Sequence, residues 1–178
     1  MDKAMSNLNF RFMALCLKLR DLFLPRDIIL KEAQIKPGFV VLDFGCGPGS
    51  CSVLAAQMVG ATGKIYALDI HPLAGQMVQK AAAKKCLQNI VTINSDCASG
   101  LENESVDVAL LYDTFHLLDD PKAVLGELYR VLKPDGILSF NDHHMEENEI
   151  ISKVTSGGLF RLSRKGERKT YTFLKEKE

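Results

Sequence analysis

From residue 39 onward, short β-rich apolar runs alternate with stretches of helical length: FVVLDF at 39–44, KIYALD at 64–69, IVTIN at 90–94, VDVALLY at 106–112 and GILSF at 136–140. A strand with one wet face alternates apolar and polar residues. These runs are apolar nearly throughout and read as parallel strands covered on both faces. Residues 52–59, 73–85 and 121–132 have the length of helices, and Asp120 before Pro121 supplies a good N-cap followed by a good first-turn residue. Strand, helix and strand in repeated succession specify an α/β fold.

The end of the chain breaks that pattern. LFRLS at 159–163 and TYTFL at 170–174 alternate apolar and polar residues around a turn containing Gly166, as an antiparallel hairpin does. The opening segment, 10–30, sets Phe10, Met13, Leu17 and Leu24 at helical spacing with Arg11, Lys18, Arg20 and Asp21 between them. It reads as one or two helices broken at Pro25. A chain of 178 residues suits one domain at roughly 100–200 residues each. The expected division is 1–36 as an N-terminal helical lid or cap and 37–178 as the core.

Lys plus Arg and Asp plus Glu both number 22, but the charge is uneven. Residues 1–36 carry seven basic against four acidic side chains and 161–178 seven against three, which leaves 37–160 with 8 against 15, a net of −7. A negative centre suits a cationic ligand and disfavours nucleic acid. The longest uncharged run, 44–63, holds Gly45, Gly47, Pro48, Gly49, Gly60 and Gly63 and cannot read as a lipid-spanning helix. MDKAMSNLNFRF lacks the pattern of a secretory signal, so a cytoplasmic location with no membrane partner is expected. Cys16, Cys46, Cys51, Cys86 and Cys97 show no CxxC pair or zinc spacing and read as reduced thiols.

Between the first strand and its helix stands Asp43-Phe44-Gly45-Cys46-Gly47-Pro48-Gly49-Ser50. Glycines let the backbone bend sharply and approach a ligand, while the following helix offers free N–H groups to a carboxylate or phosphate. Asp69 closes the second strand 20 residues after Gly49, where a carboxylate can take ribose hydroxyls. Together they point to a nucleoside ligand. Two plainer readings stay open: the glycines only make a tight turn, and Asp69 only caps the helix beginning near His71 and Pro72. Tyr112, Asp113 and His116 follow the fourth strand at its carboxyl end, where open α/β sheets bind ligands.

These segments resemble the class I S-adenosylmethionine-dependent methyltransferases of the small-molecule, methyltransferase type 11-like kind, over roughly residues 36–175. VVLDFGCGPGS is similar to the family's first motif, ALD ending at Asp69 to its ribose acid, and NSDCASG at 94–100 to its adenine-contacting turn. FHLLDDP at 115–121 and LYRVLKPDGIL at 128–138 are similar to the segments flanking the fourth and fifth strands. The resemblance implies a Rossmann-like, doubly wound seven-stranded sheet, mostly parallel with a C-terminal antiparallel β-hairpin, in the order 3-2-1-4-5-7-6. It implies S-adenosyl-L-methionine as cofactor. Gly45, Gly47 and the adjoining backbone would hold the methionine portion, Asp69 the ribose, and Asp96 with the Cys97 N–H the adenine. Gly49, Ile70 and Tyr112 complete the implied cofactor contacts, and Asp43 would order the glycine turn.

Methyl transfer needs an acceptor in line behind an activated methyl, so positioning and desolvation can carry most of the acceleration. His116, matching a histidine common in the family's segment, is the candidate general base, with Asp113 beside it as a second catalytic candidate. A packed or capping histidine is the alternative. Asp113, Asn141 and Asp142 are the residue types that hold Mg²⁺ in catechol-type O-methyltransferases, but the order here is Asn-Asp and the surrounding motifs resemble the metal-free type, so no metal is expected. His143 and His144 beside Glu146 and Glu147 read as a helix start rather than zinc ligands. Phe10, Phe12, Met13 and Phe23 would shape an apolar acceptor pocket under the lid, or else pack a helix on the sheet edge or at a homodimer contact. The expected partner is a small-molecule methyl acceptor. Two other functions stay open: a non-catalytic nucleoside-binding regulatory or partner subunit, and a nicotinamide-dependent oxidoreductase. Against the latter, Ser50 stands where a dinucleotide fingerprint has its third glycine.

Overall fold

The computed structural model describes residues 4–23 and 26–176, with the backbone alone for Leu22. Its seven-stranded sheet has the order β3-β2-β1-β4-β5-β7-β6, formed by β1 (Val40–Phe44), β2 (Lys64–Asp69), β3 (Ile90–Asn94), β4 (Val106–Tyr112), β5 (Leu132–Asn141), β6 (Phe160–Lys165) and β7 (Thr170–Lys175). The first five strands are parallel, and β7 pairs antiparallel with both β5 and β6. Both the α/β class and the strand order follow the sequence expectation. The fold is the Rossmann-like one, closed by the reversed hairpin.

Consecutive strand residues point to opposite faces, and here both faces are covered. On one face Leu42, Ala109 and Leu111 pack with Val124 and Leu128 of α5 (Pro121–Val131) and with Ile150 and Val154 of α6 (Glu147–Thr155). On the other, Val41, Val108 and Leu110 pack with Ile29 and Leu30 of α2 (Asp27–Glu32) and with Ala55, Ala56 and Val59 of α3 (Ser50–Val59). Two-sided burial is what makes the central strand sequences unbroken apolar runs; β3, at the sheet edge, departs from the expectation, with no residue fully buried and Val91 and Asn94 exposed.

One strand begins earlier than the sequence indicates. Val106 faces Leu132 while Val108 faces Ile137, so the Lys-Pro-Asp-Gly stretch 133–136 bulges from the ladder between two paired positions. Pro134 has no N–H to give to a ladder, which suits it to a bulge. The Asp120 side chain accepts a hydrogen bond from the Ala123 N–H at 3.0 Å and caps α5 as expected.

The N-terminal segment forms α1 (Asn7–Phe23), followed by α2. The expected break at Pro25, and Leu24 with it, lie outside the described residues. Phe10 is buried beside Ala67, Ala74 and Val78, the last two from α4 (Pro72–Lys84). Phe12 and Phe23 face the other way, 69% and 84% exposed. At about 100° per residue they lie on the side of α1 opposite Phe10 and Met13, so the expected four-residue acceptor pocket keeps only Phe10 and Met13. Among the described residues no helix is long and apolar enough to cross a membrane.

Candidate active site

In a doubly wound sheet, ligands bind beyond the carboxyl ends of the strands where the strand order reverses, here between β1 and β4. A cavity of about 330 Å³ opens at that place. Its floor is the glycine turn. The N–H groups of Gly45 and Cys46 donate to the Leu68 carbonyl at 2.8 and 2.9 Å, and the Gly47 N–H donates to Asp69 Oδ2 at 2.8 Å. All three turn glycines have positive φ. They differ in what a side chain would meet. A Cβ on Gly45 would lie 2.2 Å from Thr114 Oγ1 and one on Gly49 2.6 Å from Val78 Cγ2, whereas a Cβ on Gly47 meets nothing within 4 Å. Gly45 and Gly49 are therefore needed for close packing, and Gly47 for its backbone angle. Gly45 and Gly47 line the cavity; Gly49 does not, because it is packed against α4 at the start of α3.

Asp69 lies across the turn from these donors. Its Oδ1 accepts the His71 N–H at 2.8 Å while Oδ2 holds Gly47, so one carboxylate ties the glycine turn to the start of α4. The side-chain cap of that helix is His71, whose Nδ1 accepts from Leu73 N–H at 3.2 Å. A carboxylate has about four lone-pair sites, and two of these remain for a ligand. Burial raises the Asp69 carboxyl above its usual range, partly offset by the His71 and Gly47 N–H groups.

Asp43 does not order the glycine turn as expected. It is buried beneath the turn and accepts from Ser52 Oγ at 2.5 Å, which anchors the first turn of α3; Leu68 and Asp69 order the glycines instead. Burial pushes the Asp43 carboxyl up to about 6 against the Ser52 hydrogen bond. Ile70 and Asp96 line the cavity beside Asp69, but Cys97 does not, and its N–H reaches the neighbouring Ser95 Oγ at 3.3 Å. Tyr112 lines it too, with its hydroxyl 2.7 Å from Ser139 Oγ and its phenol pushed up by burial.

The catalytic candidates separate. Asp113 lines the cavity, where Oδ2 accepts from Arg20 Nη1 at 3.0 Å and Arg26 Nη2 at 2.9 Å, and Oδ1 lies 2.6 Å from His143 Nδ1. Burial alone would raise its carboxyl, but His143 and Arg26 hold it below the usual range. His116 is outside the cavity lining. It sits in a short 3₁₀ turn, Phe115–Leu117, with Nδ1 2.8 Å from Asp142 Oδ2 and its ring 4.3 Å from that of His144. Asn141 donates to the carbonyls of Arg168 and Lys169 in the hairpin turn, both at 3.0 Å. Asp113, Asn141 and Asp142 thus face three different sets of partners.

Three groups were not found from sequence. Arg26 closes the cavity through Asp113, 87 positions away, with no local signal to reveal it. Thr114 fills the space that Gly45 leaves open, and the rule that picked Tyr112 and Asp113 reaches it by one more residue. His71, considered only as a helix start, also binds α1 and the residues before it: Nε2–H donates to the Met5 carbonyl at 3.1 Å, and Phe10 of α1 stacks on the ring at 4.0 Å. With Nδ1 accepting from Leu73, these contacts fix the Nε2–H tautomer.

The chain is similar to known proteins in sequence and in fold. The chain is 29% identical over 128 residues to a demethylmenaquinone methyltransferase of Lactobacillus johnsonii, covering 71% of this chain and 52% of that one. It is 30% identical over 127 residues to a 2-phytyl-1,4-naphtoquinone methyltransferase of Trichormus variabilis, covering 70% and 55%. The chain therefore spans about half the length of these two relatives. Among solved structures, a SAM-dependent methyltransferase from Aquifex aeolicus superimposes with a TM-score of 0.74 at 25% identity, over 88% of this chain and 97% of that one. A protein of Methanococcus maripaludis shares the fold with a TM-score of 0.77 at 16% identity, over 100% and 98%. The family model described as a methyltransferase domain matches residues 35–177, from before β1 to the end of the hairpin, and the chain belongs to that family.

Proposed function

We propose that this chain catalyses S-adenosylmethionine-dependent methyl transfer to an apolar small molecule. The observation that carries the reading is Asp69, a half-buried carboxylate that joins the glycine turn to α4 and keeps lone pairs toward a cavity at the switch point of the sheet. The cavity's volume lies in the range of sites that enclose small ligands, about 300–1,000 Å³, and its carboxylates suit a cation. Asp69 would hold the ribose, Asp96 and Ile70 the base, and the backbone of Gly45 and Gly47 the methionine end. When bound, S-adenosylmethionine supplies a methyl group activated by its positive sulfur.

The protein's own work is then placement and exclusion of water. Met5, Phe10, Met13 and Leu17 on one side and Leu117 and Leu118 on the other give the cavity an apolar wall, which fits an acceptor of the quinone kind named for two relatives. Asp113 is fixed by two guanidinium groups and orients rather than abstracts, because a carboxyl held below its usual range is a weak base. His116 faces Asp142, outside the cavity lining, and takes no part in this reading. Burial pushes the Cys46 and Cys51 thiols up and away from the thiolate form, so neither serves as a nucleophile here. Calorimetry with S-adenosylhomocysteine should show binding, and nicotinamide dinucleotides none comparable. Dinucleotide binding without an S-adenosylhomocysteine signal would overturn the reading.

A further inference from the structure

Helix α1 has a second apolar face. Leu8, Phe12, Leu15, Leu19 and Phe23 are 77%, 69%, 55%, 51% and 84% exposed, at intervals of four and three residues that keep them within about 80° of one another at about 100° per residue. The opposite face carries Phe10, Met13 and Leu17 toward the cavity. A globular protein gains nothing by holding five large apolar side chains in water along one helix, and such a ridge marks a surface that meets something apolar.

The charges beside the ridge identify the partner. Residues 4–20 contain Arg11, Lys18 and Arg20 and no Asp or Glu. Arg20 turns inward to Asp113, while Arg11 and Lys18, one heptad apart, are exposed along one flank of the ridge. A second copy of the chain docked on this ridge would bring its own Arg11 and Lys18 and no carboxylate from residues 4–20 to answer them. An anionic lipid surface answers both features, because phenylalanine and leucine side chains enter the acyl boundary while lysine and arginine stay with acidic headgroups. We propose that the outer face of α1 docks the protein on an anionic membrane surface, with the cavity directly beneath the docked helix. This departs from the expectation of no membrane partner, which rested on the lack of a spanning or secretory segment; an interfacial helix needs neither. Exposed Met5 and Leu117 at the cavity wall then make an apolar entry for an acceptor taken from the lipid.

The test is sedimentation of the full chain with vesicles of phosphatidylcholine, with or without phosphatidylglycerol. Binding is expected on the vesicles with phosphatidylglycerol and should weaken as salt rises. Arg11→Glu with Lys18→Glu should lower it at least tenfold, by the rule of about 1 kcal/mol per basic group near an anionic surface, and Phe12→Ser with Leu19→Ser should abolish it. Both variants should keep wild-type affinity for S-adenosylhomocysteine, since these side chains lie outside the cavity. No binding to phosphatidylglycerol vesicles would overturn the proposal, as would equal binding to phosphatidylcholine alone. A dimer in solution that Phe12→Ser with Leu19→Ser dissolves, with no vesicle binding, would assign the ridge to self-association instead.

Discussion

The glycine turn and α1 face each other across one cavity and are held by different kinds of contact. The turn is fixed by backbone donors to Leu68 and to the Asp69 carboxylate, at the end of the strand beside its own. Helix α1 and the residue Met5 just before it are fixed by a few contacts that reach far along the chain: the Met5 carbonyl and Phe10 to His71, and Arg20 to Asp113. From that difference we expect the floor to belong to the cooperative unit of the sheet and α1 to open while the sheet stays folded. Substitutions in the two regions should therefore fail differently.

The largest effect should come from Gly45→Ala. The new methyl group would overlap Thr114, and alanine would have to hold φ of 77°. Left-handed backbone and overpacking together cost about 3 kcal/mol or more, which lowers Tm by about 10 °C for a domain of this size. Thermal unfolding checks this, and an unchanged midpoint would mean the turn is softer than its contacts imply. Asp69→Ala comes next. Loss of a charge-assisted hydrogen bond costs on the order of 1.5–3 kcal/mol, so S-adenosylhomocysteine affinity should fall roughly ten- to a hundredfold. An unchanged affinity would leave Asp69 only its structural bridge between Gly47 and His71.

On the other side, Phe10→Ala tests whether α1 opens by itself. A buried phenylalanine truncated in a core costs about 3–5 kcal/mol, but if α1 is a separate opening unit the global loss cannot exceed the free energy of opening it. We expect a Tm drop smaller than for Gly45→Ala, with amide exchange in 7–23 accelerated on the order of tenfold or more and exchange in β1 unchanged. A uniform loss of protection across α1 and β1 would join the two regions into one unit.

The same contrast explains what was legible in the sequence. The central strands could be read because two-sided burial writes itself as unbroken apolar runs, and Asp69 was singled out because it closes the second strand 20 residues after Gly49. The start of β5 was missed because Leu132 joins the ladder only through its pairing with Val106, across a bulge that local pattern reads as a loop. The Arg26–Asp113 pair left no local trace. His116 follows β4 as its place in the sequence indicates, but the short turn Phe115–Leu117 carries it to Asp142 rather than into the cavity. Phe12 and Phe23 share their residue type with Phe10, but helical phase puts them on the outer face.

The smallest expected effect reads the charge of the floor directly. Burial pushes Asp43 up to about 6 from an ordinary value of 3.8, so the folded protein holds a proton there that the unfolded chain has released. Its contribution to stability is present below the unfolded value and is lost as pH rises through about 6. Relative to Asp43→Asn, wild-type stability in denaturant should therefore fall as pH increases across that window. A cation in the cavity favours the ionised carboxyl and opposes the shift, whereas a neutral thioether does not. The affinity of the cationic S-adenosylmethionine relative to neutral S-adenosylhomocysteine should thus rise a few-fold between about pH 5 and 7, and Asp43→Asn should flatten most of that rise. A ratio independent of pH in the wild type would mean that Asp43 lies electrostatically outside the site and serves only to anchor Ser52.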